Sequence, residues 1–175
     1  AILTGIGTVL ADNPGLNVRL PEATRQPLRV ILDAELRTPP TAQTLRLPGQ
    51  VLIFTAVADP AAQAPLRTAG AEIVVVSRGG SSLDLHAVMA ELARRECNEV
   101  HVECGSTLAG ALLQAGLVDE LVIYIAPLLL GDKARGLFRL PELTWMQERW
   151  ELEILEMRAV GKDWRVRLKP MRENT

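Results

Sequence analysis

The sequence predicts an α/β fold built on a mainly parallel, mixed sheet that ends in a C-terminal antiparallel hairpin. Three observations predict it. Short apolar, β-branched runs alternate with helix-period runs along most of the 175 residues. Those runs are continuous, as in strands buried on both faces of a parallel sheet. The tail then changes to strict in–out alternation, as in an antiparallel strand with one wet face.

The strands are expected in order at 1–3, Arg29-Val30-Ile31-Leu32, Val51-Leu52-Ile53-Phe54-Thr55, Ile73-Val74-Val75-Val76, Val100-His101-Val102-Glu103 and Leu121-Val122-Ile123-Tyr124-Ile125. Helices fill the gaps. The helix at 60–69 has Asp59 as N-cap, Pro60 in the first helical position and Gly70 as its stop. That at 85–95 puts Leu85, Val88, Met89 and Leu92 on one face, with Asp84 upstream as a cap. That at 106–115 is apolar nearly all round and stops at Gly116. At the end, 150–159 and 164–169 form a hairpin about Gly161-Lys162-Asp163. In its second strand Trp164, Val166 and Leu168 face one way, and Arg165, Arg167 and Lys169 the other. The Pro39-Pro40 and Gly79-Gly80 clusters are loops, so one domain spans 1–175.

Composition removes several function classes. A 48% hydrophobic share excludes disorder, and with 3% aromatics the core must be built from Leu, Val, Ile and Ala. A net charge of −2 offers no basic field, and so few aromatics give no stacking platform, so nucleic acid is not an expected partner. Any phosphate must be met by a few placed groups. Two cysteines make no disulfide framework, which points to a reduced, cytoplasmic setting. The most apolar stretch, 121–130, contains Pro127 and is too short to cross a bilayer. The chain opens on Ala1-Ile2-Leu3 as if inside a strand, so the domain is expected to lack an N-terminal strand and helix.

The sharpest motif is Val102-Glu103-Cys104-Gly105-Ser106-Thr107-Leu108-Ala109-Gly110. A buried strand ends in a carboxylate, and a Gly-Ser-Thr turn opens a helix. Helix N-termini present free N–H groups and partial positive charge, and such a turn at the carboxyl end of a parallel strand suits an anion. Small residues Ala109 and Gly110 would let a ligand approach closely. An equally weighted alternative is a plain capped helix with Glu103 decorating a strand end. A second motif runs from Gly5-Ile6-Gly7-Thr8 to Asp12-Asn13-Pro14, with Leu16 and Arg19 beyond it. A short helical stretch ends there at Asn-Pro. Asp12 could bond a ligand hydroxyl and Arg19 a phosphate, or they are a turn acid and a surface cation. His101-Val102-Glu103 matches the front half of a zinc deaminase signature, but P-C-x-x-C is missing, so no metal is expected. His86 has no nucleophile partner, and there is no G-x-S-x-G elbow.

Taken together, blocks in order resemble one family. Ala1-Ile2-Leu3-Thr4-Gly5, Gly7-Thr8-Val9-Leu10-Ala11-Asp12-Asn13-Pro14 and Leu16-Asn17-Val18-Arg19 resemble the opening of the riboflavin-biosynthesis reductase domain. The Glu103 motif, extended through Ala111-Leu112-Leu113, is similar to that family's cofactor turn. Gly116-Leu117-Val118-Asp119-Glu120-Leu121, Tyr124-Ile125-Ala126-Pro127 and Leu130-Gly131 continue the match. That domain is the C-terminal half of the bacterial bifunctional deaminase–reductase.

The resemblance implies a dihydrofolate-reductase-like three-layer sandwich and NADPH-dependent reduction of 5-amino-6-(5-phosphoribosylamino)uracil to its ribityl compound. It implies that Thr8, Asp12 and Ala34 contact the cofactor, and that Gly105, Ser106, Thr107, Leu108, Ala109, Gly110 and Ala111 hold its pyrophosphate. It implies that Leu16, Arg19 and Glu103 contact a phosphorylated small-molecule substrate, with Glu103 the catalytic candidate, an acid only where its surroundings keep it protonated. Cys104 stands where the family has a smaller residue. Without the family's opening strand the chain is expected to turn over weakly and to pair as a homodimer through an open sheet edge. Two other readings are a pteridine- or folate-type reductase and a non-catalytic nucleotide-binding or assembly module. The cofactor preference has no clear marker; Arg78, in a loop after a strand, is a candidate for a 2′-phosphate or a solvated loop charge.

Overall fold

A computed structural model describes residues 1–20, 22–80 and 82–171. The chain forms two compact units, Ala1–Gly105 and Ser106–Thr175.

In the first unit, strand β1 (Ile2–Gly5) leads into helix α1 (Ile6–Asp12). Then come β2 (Arg29–Leu32), the single turn α2 (Gln43–Arg46), β3 (Val51–Thr55), α3 (Pro60–Thr68) and β4 (Ala71–Val75). A small hairpin of β5 (Arg78–Gly79) and β6 (Ser82–Leu83) precedes α4 (Leu85–Arg94) and β7 (His101–Val102). The main sheet is five-stranded in the order β4-β3-β2-β1-β7, with every pair parallel. Register rows such as Thr4, Ile31, Ile53 and Ile73 put one face of the sheet on a core that includes Val9, Ala42 and Leu66. Opposite it, Leu3, Val30, Leu52 and Phe54 are completely buried. The continuous apolar runs of β2 and β3 are therefore strands covered on both sides, whereas those of β4, β7 and β8 leave residues exposed.

The expected caps form. The Asp59 carboxylate accepts the Ala61 N–H at 3.0 Å, and that of Asp84 accepts the Ala87 N–H at 3.0 Å. Gly70 closes α3 at φ 93° and Gly116 follows the last helix at φ 65°.

The second unit starts with α5 (Ser106–Gln114), followed by β8 (Leu121–Ile125) and, after a 3-10 turn at Met146–Glu148, by β9 (Leu152–Val160) and β10 (Asp163–Pro170). β9 and β10 form the expected hairpin, joined by Gly161 and Lys162 with Gly161 at φ 62°.

One expectation is corrected. Among the described residues, the antiparallel strands do not join the parallel sheet but pair as a sheet of their own, β8-β10-β9, and Leu121–Ile125 belongs to it. A continuous apolar run fixes neither burial nor the partner's direction: Leu121–Ile125 is half-buried to exposed, and it pairs with β10 through Trp164↔Ile125 and Leu168↔Leu121. The expected outward face of β10 is paired, Arg167 with Glu120 at 2.6 and 2.7 Å and Arg165 with Glu156.

Candidate active site at the strand order reversal

Strands β1, β2, β3 and β4 follow one another outward, and the chain then returns past β1 to place β7. The order therefore reverses between β1 and β7. In open parallel sheets, ligands bind at the carboxyl ends of the strands beside such a reversal.

Two glycine-bearing turns leave the sheet at this point. β1 exits through Gly5-Ile6-Gly7-Thr8 and β7 through Glu103-Cys104-Gly105. They are locked side by side. The Glu103 N–H donates to the Leu3 carbonyl at 2.9 Å, and the buried Thr4 hydroxyl donates to the Glu103 carbonyl at 2.6 Å. Gly7 and Gly105 have nothing within 4 Å of where a Cβ would stand, so open space lies beside both turns.

Thr8 sits half-buried in the first turn of α1, and Asp12 lies exposed four residues on, along the same helix face. The Glu103 side chain is 57% exposed, and its Oε1 lies 3.5 Å from His101 Nε2. These two do share a face, as alternation along a strand requires. Among the described residues no group of three or more His, Cys, Asp or Glu is placed to hold a metal ion.

Ala34 follows β2 on the same carboxyl edge. Its carbonyl accepts the Ala56 N–H at 3.2 Å and the Thr55 hydroxyl at 3.3 Å, so its role in the fold is a backbone one. Next to it, Asp33 is fully buried; one carboxylate oxygen accepts the Thr38 N–H and hydroxyl, both at 2.7 Å, and the other has no partner.

Leu16 and Arg19 are placed differently. Leu16 is buried at φ 49°, a left-handed conformation that strains a leucine. The preceding segment leans on α2: the Gln43 N–H donates to Asn13 Oδ1 at 2.8 Å, and the Thr44 hydroxyl to the Pro14 carbonyl at 2.6 Å. Val18 exchanges hydrogen bonds with Gln26, just ahead of β2, at 2.9 and 3.2 Å. Arg19 is exposed, and among the described residues no hydrogen bond or ion pair joins it to Glu103.

In the second unit, the first turn of α5 carries exposed Thr107 and half-buried Ser106, Leu108 and Ala109, with half-buried Ala111 in the next turn. Its leading N–H groups have no acceptor inside the helix. Gly110 is buried for another reason: a Cβ there would stand 2.1 Å from the Arg139 carbonyl oxygen, so the small residue admits that backbone. The Arg139 N–H donates to the Ser106 carbonyl at 2.9 Å.

A wide cleft of about 980 Å³ lies elsewhere, at the amino ends of the strands, among Gln26, Leu28, Gln50, Arg95 and Cys97. It lacks what a parallel sheet offers at its carboxyl edge: adjacent strand exits with open N–H groups. Sequence reasoning did not foresee the clamp role of Thr4 or the closed Asp33–Thr38 contact. A strand-terminal Thr before Gly was the available signal for the first.

Residues 1–166 match the family described as the RibD C-terminal domain. This chain belongs to that family. The chain spans about half the length of the curated relatives it first matches. It is 41% identical over 177 residues to the riboflavin biosynthesis protein RibD of Escherichia coli K12, covering 93% of this chain and 47% of that protein. It is 34% identical over 166 residues to the 2,5-diamino-6-ribosylamino-4(3H)-pyrimidinone 5′-phosphate reductase of Methanothermobacter thermautotrophicus, covering 93% of this chain and 76% of that one. A solved structure of Acinetobacter baumannii RibD shares 33% identity and a TM-score of 0.84, over 98% of this chain and 47% of that one. No described helix of this RibD C-terminal domain is long and apolar enough to cross a membrane.

Proposed function

We propose that this chain is an NADPH-dependent reductase of a phosphoribosylaminopyrimidine, 5-amino-6-(5-phosphoribosylamino)uracil, giving the ribityl compound. The observation that carries the reading is the pair of glycine-bearing turns clamped at the β1/β7 reversal by Thr4 and Glu103. The donor set suits a dinucleotide. Open space beside Gly7 and Gly105, and the Thr8 hydroxyl, leave room for a diphosphate bound by backbone N–H groups. In the second unit, the first turn of α5, 106–109, has N–H donors of its own without acceptors in the helix.

When bound, NADPH would supply the hydride that reduces the sugar carbon. The chain's own groups bind and orient. Thr8 and Asp12 take hydroxyls or amides of the cofactor, and Ala34 packs beside it. The Glu103 carboxylate accepts a hydrogen bond from a sugar hydroxyl and so holds the reacting chain toward the cofactor. Leu16 gives an apolar wall and Arg19 an exposed cation for the substrate phosphate.

Calorimetric titration with NADPH, followed by the loss of NADPH absorbance with substrate, tests this. The expected result is binding, and oxidation with the phosphoribosylaminouracil but not with dihydrofolate. Binding without oxidation by any pyrimidine supports a non-catalytic module, and oxidation with dihydrofolate a folate-type enzyme; either overturns the proposal.

We further infer that two copies of the chain pair. The apolar face of the three-stranded sheet leaves Ile154 65% and Trp164 47% exposed, along with Ile125 and Met157. Among the described residues β9 also ends that sheet, with no strand on its other side. Sedimentation is expected to give a dimer, and a monomer at high micromolar concentration would contradict it.

A further inference from the structure

We propose that Arg78 is the residue that selects a 2′-phosphorylated dinucleotide, with Glu35 as its counterweight. This rests on reading the carboxyl edge of the parallel sheet as a nicotinamide-cofactor site, and it assigns that site's specificity.

The exits of three neighbouring strands are pinned together. The Ala34 carbonyl after β2 takes the Ala56 N–H at 3.2 Å. The Thr55 carbonyl ending β3 takes the Val76 N–H at 2.9 Å. The Ser77 carbonyl takes the Asp84 N–H at 2.9 Å, and Arg78-Gly79 pair with Leu83 and Ser82 in the small hairpin. Gly79 is tight as well: a Cβ would stand 3.2 Å from the Asp84 Cα. Arg78 therefore projects from a fixed backbone. Its guanidinium crosses from the exit of β4 to the exit of β2 and pairs with the Glu35 carboxylate.

The pair lies on the side of β1 away from β7. With strands roughly 4.8 Å apart, the β2 and β3 exits stand about 5–10 Å from the reversal. A dinucleotide whose diphosphate sits at the reversal, with its reacting half toward Glu103, carries its adenosine ribose over these exits. An acid there accepts from a free 2′-hydroxyl, and an arginine there accommodates a 2′-phosphate. This edge holds both.

Magnitudes decide which of the two acts. Side chains here are 42% exposed for Arg78 and 54% for Glu35, and water screens an exposed ion pair so that it holds together only weakly. A phosphate monoester brings roughly −1.5 to −2 charges at pH 7 and accepts two parallel N–H bonds from a guanidinium. Exchange of Glu35 for the phosphate therefore favours the phosphate. Glu35, left beside a dianion, limits the gain, so the preference is graded rather than absolute.

The test is calorimetric, on the full chain, with NADPH, NADH, 2′,5′-ADP, 5′-AMP and ribose 5-phosphate as probes. The chain is expected to bind 2′,5′-ADP more tightly than 5′-AMP. Arg78→Ala should weaken NADPH and 2′,5′-ADP about tenfold and leave NADH and 5′-AMP unchanged, and Arg78→Lys should recover part of the loss. Glu35→Gln should move the NADPH/NADH ratio the opposite way, a few-fold upward, which a general loss of fold would not do. An unchanged ratio in Arg78→Ala, with both dinucleotides still bound, overturns the assignment and leaves the cofactor reading standing. Loss of ribose 5-phosphate binding instead would give Arg78 to the substrate phosphate and overturn it. Failure of the parent chain to bind either dinucleotide overturns both.

Discussion

Thr4 is completely buried, and its hydroxyl donates to the Glu103 carbonyl across the strand reversal. Valine has the same shape without the donor, so Thr4→Val leaves that carbonyl short of a partner at a cost of about 1–2 kcal/mol. Urea unfolding should show that loss, NADPH affinity should fall with it, and Thr4→Ser should restore both. Equal NADPH affinity in Thr4→Val would show that the clamp does not organise the site. Residue types at this scale were only partly legible. The sequence puts Glu103 and Gly105 at the end of a strand, and the structure has both on the segment that leaves β7. For Thr4 the sequence offers its place before Gly5 at a strand end, but not which carbonyl its hydroxyl reaches. Arg29 was invisible as a buried residue: it begins an apolar run, yet its Nη2 donates to the Leu47 and Gly49 carbonyls at 2.8 and 2.7 Å, and burial pushes its pKa down.

At the scale of elements, periodicity located β2, β3 and β8 to the residue and α3, α4 and α5 to within one, because their caps and glycine stops are local signals. It could not tell that β8 runs antiparallel beside β10, because strand direction is fixed by distant pairing. Nor did it find α2 or the β5–β6 hairpin, each too short to carry a period. α5 gives the sharpest element-level test. The expectation was that Gly110 admits a ligand, whereas it admits the Arg139 backbone. Gly110→Ala should therefore destabilise the chain by about 1–3 kcal/mol, the usual cost of overpacking, in thermal unfolding. Unaltered stability would mean that the 106–114 helix does not pack there.

For the whole molecule, a net charge of −2 conceals strong local pairing. Arg95 bridges Glu72 at 2.6 and 2.8 Å and Glu91 at 2.7 Å, and Arg94 grips Glu91 at 2.7 and 2.8 Å. Hydrogen bonds from Arg94 and then Arg95 hold the Glu91 carboxyl down at about 2, against 4.5 when free. The unfolded chain then binds more protons between those values, so the stability Glu91 contributes is whole above about pH 4.5 and fades as pH falls toward 2. Melting temperature should drop over that window, and Glu91→Gln should flatten the drop; an equal slope in the variant would exclude Glu91 as its source.

The placement of the site at the β1/β7 reversal is the central claim, and amide chemical-shift mapping of an NADPH titration tests it most directly. The account predicts shifts concentrated at Gly5, Gly7, Thr8, Ala34, Glu103 and Gly105. Shifts gathered instead in the amino-end cleft, at Gln26, Leu28, Gln50 and Cys97, would contradict it.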